Sequence, residues 1–286
     1  MQIKLWGCRG SIASPGPATL RYGGNTTCLE MRTKKGRIVI VDAGSGLRFL
    51  GKALRREPGV SELRFFITHA HLDHLSGFPF FEPAYLERFS LTFCGGVHAQ
   101  DSIKRYLSRQ MTAPFFPVEF SVLKAKFDFA CQRDGMRPCS GPCRWDGLEV
   151  APIALNHPNG GYGFKFTERG RSFVFLTDNE LGFRHEGGLT PAQYADLCRG
   201  ADLLIHDAQY TDAEYRLTRG WGHSTFNDAV DLALAAGVKR LGLFHHDPDR
   251  TDDDLDRQVE NCRRRIRKAG GAVDCFGATE GTTLEP

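Results

Sequence analysis

The stretch Thr68-His69-Ala70-His71-Leu72-Asp73-His74 follows the apolar run Leu63 to Ile67 and precedes Leu75-Ser76-Gly77. It places four metal-type donors within six residues. With 10 histidines in the 286-residue chain, a chance match to His-x-His-x-Asp-His has a probability of about one in a thousand. Alternate residues at a strand end point the same way, so His69 and His71 can face one metal ion. The chain then turns and offers Asp73 and His74 to a second. An apolar strand running into such a loop predicts the seed of a two-metal site, since histidine is the commonest metal ligand.

Around this loop the chain is that of an ordinary globular protein, 41% hydrophobic and 25% charged. At this length folding buries roughly three quarters of the unfolded surface, so no covalent staples are needed. The nine cysteines are odd in number and spread from Cys8 to Cys275, which points to a reducing compartment and structural thiols. Met1 to Gly10 has no basic segment leading an apolar one, and no apolar stretch approaches the 18 or so residues of a spanning helix. A cytoplasmic protein without membrane contact is expected. With 37 basic and 34 acidic residues, bulk charge gives no reason to expect long nucleic acid as a partner; an anionic substrate must be held locally.

The spacing of β-branched and apolar residues predicts strands at Ile3–Trp6, Thr27–Arg32, Arg37–Val41 and Leu63–Ile67, and again at Gly147–Ala154, Tyr162–Thr167, Ser172–Leu176, Asp202–His206 and Arg240–Phe244. Helices are expected around Pro191 to Cys198, from a Ser224 or Thr225 cap to Ala235 before Gly237, and from Thr251 to Lys268. The acidic start and basic end of the last one suit the helix dipole, marking a solvated helix. The chain reads as a single domain, 1–286, with an inserted lid at about 78–146, where prolines interrupt the pattern. Phe115, Phe116, Phe120, Phe127 and Trp145 could stack a base there, but phenylalanine is usually buried and core packing is favoured. Cys131, Cys139 and Cys143 lack a partnered second pair and read as free thiols.

The His-x-His-x-Asp-His loop closely resembles the signature of the metallo-β-lactamase superfamily, and later motifs follow in order. The resemblance covers nearly the whole chain and implies a four-layer αββα sandwich of the α/β class. Asp42, in Val41-Asp42-Ala43-Gly44, would buttress the metal loop; His157, Asp178 and His245 match the third ligand histidine, the bridging carboxylate and the last histidine. The implied shells are His69, His71 and His157 on one ion and Asp73, His74 and His245 on the other, with Asp178 between. His245 and His246 are adjacent, and the strand-end pattern favours the first. Seven N and O donors suit two divalent ions, zinc by default, with manganese or iron permitted.

A second constellation narrows the resemblance. Ile205-His206-Asp207-Ala208 and Gly222-His223-Ser224-Thr225 resemble elements of ribonuclease Z and its phosphodiesterase relatives, with Asp207 in place of a longer Glu. Asp207 would hold the tautomer of His223, which would contact phosphate or protonate the leaving oxygen. The implied function is hydrolysis of a small or cyclic nucleotide phosphodiester through a metal-bridging hydroxide that Asp73 helps orient. The segment between Asp178 and His206 holds no Gly-rich arm of the tRNA-processing type. The Gly7–Ser11, Tyr22–Thr26 and His245–Pro248 stretches look instead like hydrolases related to class II cyclic-nucleotide phosphodiesterases. A glyoxalase II-type thiolester hydrolase and a ribonuclease Z-like nuclease are the alternatives, and a homodimer is common among such relatives.

Overall fold

The computed structural model describes residues 1–95, 97–129 and 142–286, with backbone alone for 95 and 97–102; Cys131 and Cys139 lie outside the described residues. One seven-stranded sheet is built from Gln2–Gly7 (β1), Cys28–Arg32 (β2), Ile38–Val41 (β3), Glu62–Ile67 (β4), Ser90–Gly95 (β5) and Lys126–Asp128 (β6), with a two-residue strand at Thr283–Leu284 pairing β1 at the edge. The second holds Cys143–Trp145 (β7), Leu148–Ala154 (β8), Tyr162–Glu168 (β9), Arg171–Leu176 (β10), Leu203–Asp207 (β11), Arg240–Phe244 (β12) and Asp274–Gly277 (β13) in the order β13-β12-β11-β10-β9-β8-β7. Each sheet is antiparallel on one side and parallel on the other, the parallel halves being β3 to β6 and β10 to β13.

Burial explains the layering. All four residues of β3, Ile38-Val39-Ile40-Val41, are buried, and the strand's period of two sends them to opposite faces. Val39 and Val41 join Leu5, Phe66, Phe166, Phe175, Ile205 and Phe244 in the core between the sheets. Ile38 and Ile40 face outward onto Leu47, Leu50 and Leu54 of the helix Leu47–Arg56 (α1). On the far side, Val174, Leu204, Leu241 and Leu243 pack under Pro191–Cys198 (α3), Phe226–Ala236 (α5) and Asp252–Lys268 (α6). The expected αββα sandwich is what forms. Two further α-helices lie among the described residues, Val97–Gln110 (α2) and Asp212–Thr218 (α4).

Helix ends follow their sequence signals. Thr225 caps α5 in a capping box with Asp228, and Gly237 closes it in the left-handed conformation at φ 62°. Thr251 caps α6 in the same way with Asp254. The stretch expected as an inserted lid at about 78–146 instead extends both sheets, supplying β5 and β6 to the first and β7 to the second. Pro79, Pro83, Pro114 and Pro117 fall in the connections before and between β5 and β6, and Pro142 directly precedes β7, which conceals these strands. Phe78, Phe93, Phe120 and Phe127 pack on one another with ring centroids 5.0–6.4 Å apart. Trp145 lies under Arg64, whereas Phe115 stays exposed.

Strands β1, β3, β4, β8, β10, β11 and β12 deliver their carboxyl ends to one edge of the sandwich, where open α/β sheets place their ligands. No helix among the described residues is long and apolar enough to cross a membrane.

Candidate metal centre

Every expected ligand lies at that shared edge. His69, His71 and His74 come from the loop after β4, His157 follows β8, Asp178 follows β10 and His245 follows β12. Donor atoms of His69, His71, His157 and Asp178 all lie within 4.8 Å of one another, as do those of Asp73, His74, Asp178 and His245, so Asp178 is common to both groups. Its Oδ1 is 3.1 Å from His74 Nε2 and 3.3 Å from His245 Nε2, and its Oδ2 is 3.6 Å from His69 Nε2. Asp73 Oδ2 stands 3.3 Å from both His74 Nε2 and His245 Nε2. His71 Nδ1 and His157 Nε2 face each other at 3.0 Å.

The rings are held from behind. Asp42 Oδ2 takes His74 Nδ1 at 2.8 Å while its carboxylate accepts from the Thr68 amide and hydroxyl at 2.7 and 2.8 Å. This is the buttressing role expected of Asp42. Gly222 carbonyl accepts from His157 Nδ1 at 3.1 Å, and Gln209 Oε1 takes His245 Nδ1 at 2.9 Å. Fixing one ring nitrogen decides which nitrogen faces a metal. The Ser11 amide donates to Asp73 Oδ2 at 2.9 Å. Sequence reasoning missed the parts of Gln209 and Gly222 here, because an amide or a carbonyl acting from behind a ligand leaves no spacing pattern. Of the adjacent histidines, His245 points into the cluster, while His246 Nε2 donates to the Ala278 carbonyl at 2.7 Å and its ring packs edge-on to Tyr22.

The charge balance calls for cations. Among the described residues, all ion pairs made by Asp42, Asp73 and Asp178 are with histidines. Burial, followed by repulsion from His74, holds His69 well below the usual imidazole range; burial above all also lowers His71 and brings His157 down to about 4. These rings are therefore neutral, the form that binds metal. His74 is pushed the other way, because Asp178, Asp73 and Asp42 together outweigh the burial that opposes its charge. Among the described residues, buried His69 Nε2 and His74 Nε2 have no hydrogen-bond partner. Orphaned nitrogens aimed at unneutralised carboxylates fit divalent ions, which the neutral N and O donor set would hold.

Asp42, Asp178 and His245 share a further trait: as non-glycine residues they adopt positive φ, 61°, 49° and 60°. The left-handed turn at the strand end swings each side chain towards the sheet edge.

Beside the cluster lies the second expected pair. Asp207 is fully buried at the end of β11; its Oδ2 takes His223 Nδ1 at 2.7 Å, and its Oδ1 accepts from the amides of Ser224 and Gln209 at 3.0 and 3.2 Å. The His223 ring stacks on His245 at 4.8 Å and meets His157 edge-on at 5.4 Å. Burial opposes charge on His223, but Asp207 outweighs it and raises the ring to about 9. His206, by contrast, turns into the interior, bonded to its neighbour's carbonyl and to Asn179.

An αββα sandwich with a His/Asp cluster at the joint strand edge defines a hydrolase of the metallo-β-lactamase fold. The chain belongs to the beta-lactamase superfamily, whose domain matches residues 37–246. Ribonuclease Z of Acaryochloris marina is 30% identical over 261 residues, spanning 78% of this chain and 81% of its own. Among solved structures, the metallo-β-lactamase fold protein YhfI of Bacillus subtilis covers this whole chain and 98% of its own at TM-score 0.68 and 16% identity. A diphosphatase of the PhnP family covers the whole chain and 97% of its own at TM-score 0.65 and 16% identity. At these identities the two structures speak for the fold alone.

Proposed function

We propose that the protein is a phosphodiesterase acting on a small or cyclic nucleotide diester, with two zinc ions held by His69, His71 and His157 and by Asp73, His74 and His245, Asp178 bridging. The observation that carries this reading is the Asp207–His223 pair, 2.7 Å apart and stacked against His245. A thiolate leaving group needs no proton donor of this kind, whereas a departing alkoxide does. When bound, two divalent ions supply Lewis acidity at the phosphoryl oxygens and lower the pKa of an attacking water. The chain's own residues do the rest. Asp73, anchored by the Ser11 amide, orients the nucleophile's side of the site. His223, with Nδ1 fixed on Asp207, presents Nε2 to the opposite side and gives up its proton to the leaving oxygen.

The test is turnover of bis(p-nitrophenyl) phosphate and of 2′,3′- and 3′,5′-cyclic nucleotides by metal-replete protein, with His223→Ala at matched metal content. Diester turnover that collapses at least 100-fold in the variant, with both metals retained, supports the reading. A wild type inert on diesters but active on a thiolester refutes it and favours glyoxalase II-type chemistry. A second reading, RNA processing, is favoured by the ribonuclease Z relative that aligns over most of its length. Cleavage of a tRNA precursor in preference to small diesters would establish it.

A further inference from the structure

A second carboxylate–imidazole pair stands outside the metal cluster. Glu180, two residues beyond Asp178, is fully buried, and four donors converge on it. Tyr215 Oη and the Gly220 amide reach Oε1 at 2.6 and 2.7 Å; the Gly222 amide and His185 Nε2 reach Oε2 at 2.7 and 2.9 Å. A buried carboxylate with this many donors is rigidly placed. It ties down the loop that carries Gly222 and His223, and it also fixes the ring of His185. Among the described residues no hydrogen bond engages His185 Nδ1, which leaves that nitrogen for a ligand.

His185 lines a cavity of about 560 Å³ together with His157, Asn159, Tyr162 and Glu186, a volume ordinary for a small-molecule site. The turn Pro158–Gly161 separates it from a cavity of about 260 Å³ lined by His69, His71 and Tyr106. His157 thus joins this space directly to the cluster. Among the described residues Glu186 is the sole carboxylate lining it and no Lys or Arg does, so the charge suits a neutral, hydroxyl-bearing group and repels a second phosphate.

We propose that this cavity seats the nucleoside portion of the diester, with His185 hydrogen-bonded to a sugar hydroxyl and Glu180 as the positioning residue for both His185 and the His223 loop. The assignment rests on the phosphodiesterase reading above. Steady-state kinetics of metal-replete wild type, His185→Ala and Glu180→Gln would compare 2′,3′-cyclic AMP with bis(p-nitrophenyl) phosphate, which has no sugar. Calorimetry would measure binding of 3′-AMP (AMP below), which keeps the 5′-hydroxyl, the one sugar hydroxyl that is free in 2′,3′-cyclic AMP. For His185→Ala the ratio of kcat/KM for the nucleotide over the sugar-free diester falls about tenfold, mainly through KM, and AMP binds about tenfold more weakly, the worth of one net hydrogen bond. Glu180→Gln shows the same KM shift with an added fall in kcat. A merely structural role would lower Tm and leave the ratio in place. If wild type cleaves both diesters while the ratio and the AMP affinity stay unchanged in His185→Ala, the nucleoside assignment fails alone. If wild type cleaves no diester, the phosphodiesterase reading fails and takes the assignment with it.

Discussion

Gly222→Ala should disable the site without replacing any ligand residue. Gly222 has φ 96°, and a Cβ there would stand 2.0 Å from His157 Nδ1 and 2.5 Å from Pro158 Cδ. Ordinary contact needs about 3.4 Å or more, so the His157 ring would have to retreat by more than an ångström or the loop would have to yield. Yielding is resisted by Glu180, which accepts from the Gly220 and Gly222 amides at 2.7 Å each. Left-handed backbone adds about 1–2 kcal/mol for a residue with a Cβ. Displacement of a catalytic group by about 1 Å costs on the order of 100-fold in rate, and loss of ring orientation costs roughly 10–100-fold in metal affinity. Metal titration followed by elemental analysis, with diester turnover at saturating zinc, would read both effects. An alanine variant that binds two equivalents with unchanged affinity and turns over at the wild-type rate would refute the claim that this glycine sets the position of His157.

Four further outcomes follow from the same geometry. Asp42→Asn puts an amide donor against the Thr68 amide and His74 Nδ1, so metal affinity should fall 10–100-fold and thermal unfolding should occur several degrees lower; calorimetry of apo and metal-loaded protein checks both. Thr225→Ala removes the cap that accepts from the Asp228 amide at 3.0 Å, costing about 1 kcal/mol and roughly 2–4 °C in Tm with metal content unaltered. His246, which burial above all brings down to about 3, is neutral in the fold while the unfolded chain takes up its proton below about pH 6.5. Its contribution is complete above pH 6.5 and is lost as pH falls towards 3, by about 1.4 kcal/mol per unit. Urea midpoints of the apoprotein at pH 7 and 5 should therefore converge in His246→Asn, and an unchanged pH slope would count against this. Chelation should lower Tm and restored zinc should raise it, with the gap widening as free zinc rises above its Kd.

Much of the sandwich was legible because local signals agreed with tertiary ones. Strand β12 matches its expected span, Arg240–Phe244, and α6 runs from its Thr251 cap to Lys268. The metal loop was legible because its donors are close in sequence. Strands β5, β6 and β7 were hidden because two are only three residues long and prolines crowd their connections, which read as a lid. Helix α1 was missed because its Gly46 cap makes no side-chain hydrogen bond, leaving no start signal. Glu180 and His185 gave no sign either: they lie outside any metal spacing, and their partners Tyr215, Gly220 and Gly222 meet them only through the fold.

Asp42, Asp178 and His245 hold positive φ at three strand ends. A stability screen blind to chemistry would favour glycine at each of these positions, since it alone adopts that backbone without strain. Every such replacement would erase a carboxylate or an imidazole. The backbone therefore records which constraint prevailed at this edge: the chain accepts a less comfortable turn in order to carry a functional group there. An engineer seeking a hardier version would do better to work on the opposite edge of the sheets.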